Sequence, residues 1–115
     1  MATTFGKELR KLRIDKDENI HTMAKKLGIS ISYLSAIEAG SRNIPVDLVD
    51  KIIAKYRLNK ERSEILRQAE AESSKEINVD LSNVSAEQRK LVFALSRRIN
   101  DMSDEECLKI LEKLK

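Results

Sequence analysis

The sequence predicts an all-α protein. Charged residues make up 36% of the 115 residues, aromatic residues make up 3%, and there are only three glycines and one proline. Ala, Leu, Ile, Lys and Glu dominate, and this composition is typical of helical proteins. Apolar residues recur mainly at intervals of three and four, which is the spacing of one helix face. The length allows one compact domain with a short appendage, but not two domains with large cores.

Five helices are predicted in residues 1–72. Residues whose side chains can cap a helix stand before four of them, and Pro45 suits the first turn of the remaining one. The capping residues are Thr3 or Thr4, Asn19, Ser30 and Asn59. Gly28 and Gly40 follow the second and third helices, where a left-handed residue commonly ends a helix. The predicted helices span residues 4–14, 20–27, 31–39, 45–56 and 60–71.

The remainder of the chain predicts a linker and a helical hairpin. The polar stretch 72–75 resembles a hinge. In Ile77–Leu81 apolar and polar residues alternate, which favours either an extended linker or one short strand that pairs with a second copy of the chain. Ser85 and Ser103 each begin a capping box, the signature of a helix start. The two helices that follow span residues 86–100 and 104–114. The expected organisation is a domain over 1–72, a linker or short strand over 73–84, and a helical segment over 85–115.

Charge is distributed unevenly along the chain. The whole sequence has a net charge of +3. Residues 1–60 contain 12 Lys and Arg against 7 Asp and Glu, a net charge of +5, whereas residues 61–115 contain 10 against 12, a net charge of −2. A basic first half suggests a polyanionic partner. The alternative is that these charges only solvate the helix faces.

Several function classes lack their defining residues. No apolar run is long enough to span a membrane, and the first residues lack the pattern of a signal peptide. Cys107 is the only cysteine, so no internal disulfide can form, and a reducing cytoplasm is the simplest compartment. His21 is the only histidine, which excludes a His-based metal site or catalytic triad. We therefore expect no enzymatic activity, no cofactor, no metal and no membrane association.

The most informative stretch is the predicted helix, turn and helix over Ile20–Ala39. Two short helices that cross at a steep angle need a small residue at the crossing, and Ala24 supplies it. Gly28 lies in the turn, where a positive φ is easy only without a Cβ. Apolar residues occupy the positions that lock the pair together. These are Met23, Leu27, Ile29, Leu34 and Ile37.

With these residues the chain resembles the lambda-repressor-like, or Cro/C1, family of transcriptional regulators. The resemblance covers residues 5–57 and depends on three stretches, FGKELRKLR, MAKKLGISISYLSAIEAG and RNIP. It implies a bundle of four or five helices whose third helix enters the DNA major groove. It also implies a cytoplasmic, nucleoid-associated protein of a bacterium or phage. The sequence departs from the family at Ile20, where Gln is frequent, and at Asp17 and Glu18, where Gly and an apolar residue are common.

The resemblance places the third helix against double-stranded DNA. Its first residues and outer face are small, hydroxylated or apolar, and none is acidic. These candidate base-contacting residues are Ser30, Ile31, Ser32, Tyr33, Ser35 and Ala36. Serine hydroxyls can donate or accept at base edges, and apolar groups can touch a thymine methyl. The alternative is that they are ordinary surface residues.

Phosphate contacts are expected on either side of that helix. Arg42 and Asn43 follow it, while Asn19 and His21 lie at the start of the second helix, where backbone amides favour anions. Lys16 and Lys25 are candidates for sequence-independent attraction to the DNA backbone.

Arg13 and Glu38 match a structural pair of the family. In the family, an arginine late in helix one pairs with a glutamate near the end of the recognition helix and fixes that helix on the scaffold. The alternative is an exposed surface pair of little energetic value.

The apolar residues after Ser74 predict a dimerisation segment. They are Ile77, Val79, Leu81, Leu91, Leu95, Ile99, Ile110, Leu111 and Leu114. A two-helix hairpin buries only one side of each helix, so we expect a second copy to cover the rest across a two-fold axis. Such a homodimer would hold two recognition helices about 34 Å apart on a palindromic operator, where the expected role is that of a repressor. The rival interpretation folds the segment back onto helix five of a monomer.

A second function remains open from the sequence. An antitoxin-like protein or adaptor would use the residues after Ser74 to neutralise a toxin or bind another protein, and would autoregulate its operon. A segment that wraps a toxin should be disordered or monomeric alone, and the two capping boxes favour an ordered segment.

Overall fold

A computed structural model describes residues 2–115, which fold entirely into helices and connecting segments. The helices are α1 Thr4–Asp15, α2 Ile20–Leu27, α3 Ile31–Ala39, α4 Leu48–Tyr56, α5 Lys60–Ser73, α6 Ala86–Arg98 and α7 Asp104–Leu114, with a 3₁₀ turn at Ile99–Asp101. The all-α prediction is confirmed. None of these helices is long and apolar enough to cross a membrane. The chain forms two compact units, one that reaches to Asn78 and one that comprises Val79–Lys115.

The helix boundaries in the first unit follow local capping chemistry. The side chains of Thr3, Asn19, Ser30 and Asn59 each accept a hydrogen bond from a backbone N–H in the first turn of the helix that follows. This satisfies donors that have no partner inside the helix. Gly28, with φ 71°, and Gly40, with φ 85°, end α2 and α3 in the left-handed conformation.

Five helices enclose one hydrophobic core. Helix α1 packs on α3 and α5, α2 packs on α3 and α4, and α4 packs on α5. The buried apolar residues are Phe5, Leu9, Leu12, Met23, Ala24, Leu27, Leu34, Ile37, Leu48, Val49, Ile52, Tyr56, Leu66 and Ala69. Helix α3 is therefore held from two sides by α1 and α2.

The start of α1 approaches the end of α3 very closely. A Cβ atom built on Gly6 would lie 2.3 Å from the carbonyl oxygen of Glu38. The same carbonyl accepts hydrogen bonds from the backbone N and the Oγ1 of Thr3, each at 3.0 Å. Phe5 N also donates to Ser73 Oγ at 3.0 Å, which ties the start of α1 to the end of α5.

Helix α4 begins three residues later than predicted. Val46 and Asp47 form a turn, and Leu48 N donates to Pro45 O at 3.1 Å. The prediction that Pro45 occupies the first turn of the helix is therefore wrong. The Asp47 side chain makes no capping hydrogen bond, so no polar cap marks this helix start in the sequence.

No strand forms over Ile77–Leu81 within the single chain, where the segment is an extended linker, and pairing with a second copy stays a prediction. A single strand has no partner within an otherwise helical chain. Asp80 Oδ1 instead accepts hydrogen bonds from the backbone N and the Oγ of Ser82, at 2.9 and 2.6 Å. These local bonds close a turn that leads toward α6.

The backbone of Asp17 has a left-handed conformation, with φ 55°. This conformation costs an L-residue roughly 1–2 kcal/mol, although the cost is smaller for Asp than for most residues. We expect Asp17→Gly to raise the free energy of unfolding by about 0.5–1 kcal/mol, measured by urea denaturation. Lys16→Gly is the control, because Lys16 has a φ of −98° and gains nothing from glycine. An equal effect of the two substitutions would argue against strain at Asp17.

The second unit has well-formed helices but no buried residue. Ser85 and Ser103 both make complete capping boxes, and none of residues 79–115 is buried. A groove of about 220 Å³ is lined only by apolar side chains and a cysteine from the two helices and their connection. These are Leu95, Ile99, Met102, Cys107, Ile110, Leu111 and Leu114. We call this the C-terminal groove.

Candidate nucleic-acid interface

Helices α2 and α3 meet across a three-residue turn, Gly28–Ser30. Gly28 supplies the left-handed residue, and Ile29 N donates to Ala24 O at 3.1 Å to close the turn. Ala24 is buried, so the two helices approach closely near their junction. Met23, Leu27, Leu34 and Ile37 point into the core. The opposite side of α3 is left free.

The free side of α3 carries no charge. Ile31, Ser32, Ser35 and Ala39 are exposed along one side of the helix, with Ala36 partly buried beside them. We call the positions Ile31, Ser32, Ser35 and Ala36 the outer face. Every other α-helix in residues 2–115 has charged side chains in contact with solvent. The only charged residue of α3 is Glu38, and it is 9% exposed. An exposed helix face without any charged side chain is unusual on a protein in which 36% of residues are charged.

An open depression of about 450 Å³ lies beside this helix. Its lining contains five predicted DNA-contacting residues and one further serine: Ser30, Ser32, Tyr33, Ala36, Arg42 and Ser41. The Arg42 guanidinium stacks over the Tyr33 ring at 5.2 Å from its centroid, a cation–π contact. Ser41 is not among the predicted DNA-contacting residues, but it lines the depression between Gly40 and Arg42. Its Oγ donates to Ala36 O at 3.2 Å.

Arg13 and Glu38 form a buried, bidentate ion pair rather than an exposed one. Nη1 of Arg13 lies 2.6 Å from Oε2 of Glu38, and Nη2 lies 3.0 Å from Oε1. The two residues are 8% and 9% exposed. The same Nη1 also lies 3.3 Å from the Sδ of Met23, so one guanidinium contacts both α2 and α3. The pair therefore fixes α3 on the scaffold, although it does not itself lie on the outer face.

Ile31 and Ser35 lie on α3 but do not line the depression, and the remaining candidate phosphate-contacting residues also lie outside it. Asn43 Nδ2 donates to Glu76 Oε2 at 3.1 Å. Asn19 uses its Oδ1 to cap α2, and it accepts from Thr22 N at 2.9 Å. The exposed side chains of His21 and Lys25 lie on α2, and that of Lys16 lies just after α1. None of them lines the depression.

The turn into α2 is held by a polar cluster that the sequence did not predict. The Glu18 carboxylate pairs with Lys26 and accepts a hydrogen bond from the Tyr56 hydroxyl at 2.7 Å. The Lys26 ammonium lowers the pKa of Glu18, while burial and the bond to Glu18 raise the pKa of Tyr56. Ile20 packs against the core, so it provides no polar group for a phosphate. This cluster and the packing of Ile20 together hold the turn into α2.

Comparison with known proteins gives one match. A family model described as helix-turn-helix matches residues 9–61, which run from α1 to the first residues of α5. No curated protein and no solved structure matches the chain.

Proposed function

We propose a repressor function from the premise that this chain belongs, through residues 9–61, to the Cro/C1-type helix-turn-helix family of DNA-binding transcription regulators. It binds a palindromic operator as a homodimer. The observation that carries the proposal is the outer face of α3, which is exposed, uncharged and bordered by Arg42. A helix that enters the major groove must expose one face to the base edges, and serine hydroxyls and apolar groups are among the side chains that can contact them.

Two sets of residues contact different parts of the DNA. The outer face contacts base edges, which gives sequence preference. Arg42 and Asn43 contact phosphates after α3, and Asn19, His21, Lys16 and Lys25 contribute on the α2 side. Because Arg42 is stacked on Tyr33, its guanidinium is held near α3 before DNA arrives. Asn43 gives up its hydrogen bond to Glu76 in order to reach a phosphate.

Selection from a random duplex library tests this division. We expect Ser32→Ala and Ser35→Ala to change the preferred sequence. Arg42→Ala should weaken binding to all sequences about equally and reduce the salt slope by about one unit. Arg10→Ala is the control, because Arg10 is exposed on α1 and forms no ion pair with any described residue. A changed preference in the Arg42 variant, with none in the serine variants, would place the base-contacting surface elsewhere.

The C-terminal groove supports the homodimer. An apolar groove in a helical unit that buries none of its residues favours a partner that covers it. A second copy fits by charge, because α6 has four Lys and Arg against one Glu whereas α7 has two Lys against four Asp and Glu. Helix α6 of one protomer can therefore face α7 of its partner across a two-fold axis. The dimer would set two recognition helices one DNA turn apart, about 34 Å.

Substitution within the C-terminal groove tests the dimer in the full chain. We expect sedimentation to show a dimer for the natural protein and a monomer for Leu111→Glu, with operator affinity reduced about tenfold or more. Leu108→Glu is the matched control, because Leu108 is 65% exposed on the same helix, compared with 54% for Leu111, but does not line the groove. A natural protein that sediments as a monomer would contradict the dimer.

The exposed apolar side chains of the same segment support an antitoxin-like function as the second candidate, since a segment without a second copy can become ordered on another protein. Hydrogen exchange on the protein alone separates the two functions. The homodimer predicts protected amides in α6 and α7, whereas a segment that awaits a toxin predicts unprotected amides and a monomer.

A further inference from the structure

The outer face of α3 lacks every side chain that normally identifies a base by paired hydrogen bonds. Such recognition uses Arg or Lys on guanine and Asn or Gln on adenine. Helix α3, Ile31–Ala39, contains none of these four residue types. Its exposed polar groups are the hydroxyls of Ser32 and Ser35, which can bond to several bases and discriminate poorly on their own.

Ile31 is the one large apolar side chain on this face. It is 41% exposed, and it follows the Ser30 cap at the N-terminal end of α3, the end of a recognition helix that contacts base edges. It is not among the apolar side chains that pack against the core. Its exposed surface therefore contributes little to folding and is available to a ligand.

The major groove offers one apolar group for such a side chain, the C5 methyl of thymine. We infer that each operator half-site has a thymine beneath Ile31 and that the protein recognises this base through its methyl group. This inference rests on the proposed function, because it assumes that the outer face meets the major groove. Ile31 is then a specificity-determining residue, and the serines beside it accommodate the neighbouring bases.

Replacing thymine by deoxyuracil removes the methyl and keeps the base pair, so it isolates this contact. The duplex is the operator obtained by selection with the full chain, and each thymine is replaced in turn. We expect one position per half-site at which the replacement weakens binding about fourfold, the loss that corresponds to one buried methyl group. The other thymines should tolerate the replacement.

Ile31→Ala completes the test. This variant should bind the thymine and deoxyuracil duplexes equally at the sensitive position, because the contact is already lost. Ile65→Ala is the matched control, since Ile65 is 44% exposed but lies on α5, and it should keep the fourfold difference.

The outcomes separate this inference from the proposed function. If selection enriches no sequence, the proposed function fails. If a sequence is enriched and Ser32→Ala or Ser35→Ala changes it, but no thymine is sensitive, only the thymine inference fails. A fourfold difference that persists in Ile31→Ala would also overturn the inference and assign the methyl contact to another residue.

Discussion

Gly6→Ala is expected to lower the free energy of unfolding by about 2–3 kcal/mol, although alanine ordinarily stabilises a helix by about 1 kcal/mol relative to glycine. The sign reverses because the added Cβ would lie 2.3 Å from the Glu38 carbonyl oxygen, which is backbone and cannot rotate away. Helices α1 and α3 would have to separate, which would disturb the core that both helices share. Overpacking ordinarily costs about 1–3 kcal/mol and occasionally more. A contact this short against backbone puts Gly6→Ala at or above the upper end of that range, which outweighs the gain of about 1 kcal/mol in helix propensity.

Urea denaturation of the two proteins measures the difference. Lys7→Ala is the control, because Lys7 is exposed on the same helix and its substitution should change stability by about 0.5 kcal/mol at most. If Gly6→Ala were as stable as the natural protein, the close approach of α1 to the end of α3 would be wrong.

Removal of either partner of the Arg13–Glu38 pair is expected to cost on the order of 2–4 kcal/mol. Arg13→Ala leaves a buried carboxylate without its cation, and Glu38→Ala leaves a buried guanidinium without its anion. The double variant should lose far less than the sum of the two single losses, because neither charge is then left unpaired in the interior.

A double-mutant cycle measures this coupling. The Arg67–Asp50 pair is the matched control, since its atoms lie 2.8 Å apart but both side chains are exposed. Its coupling should be about 0–1 kcal/mol. Additive losses at Arg13 and Glu38 would show that the buried pair does not act as a unit.

Local chemistry explains why most of the first unit could be predicted from the sequence. Asn19, Ser30 and Asn59 cap the helices they were expected to cap, because a cap needs only a side chain and the next three residues. Gly28 and Gly40 likewise end their helices through their own backbone conformations. The start of α4 was missed because Asp47 makes no capping bond, and Pro45 fits a turn as well as a helix.

The unpredicted features depend on residues far apart in the chain. From the sequence alone, Gly6 is an unfavourable residue within a helix, and only the fold shows that the Glu38 backbone lies against it. From the sequence alone, Glu18 is part of an acidic connector, and only the fold shows that the Tyr56 hydroxyl donates a hydrogen bond to it. Periodicity and short motifs carry no information about contacts between residues that are so far apart in the chain. The alternating pattern at Ile77–Leu81 could not distinguish a linker from a strand for a related reason, because a strand requires a partner and alternation within one segment does not reveal it.

The attachment of α3 to α1 has a consequence for altering the protein. Thr3, Gly6 and Arg13 all contact Glu38, at the end of α3 that turns inward, whereas the residues at positions 31, 32 and 35 point away from the core. The contacts that hold α3 in place therefore involve other residues than its exposed positions, so these positions can be substituted without weakening the attachment of the helix. Chains that differ only at those three positions should share one melting temperature and differ in the duplex they select, so binding preference and stability can be engineered independently.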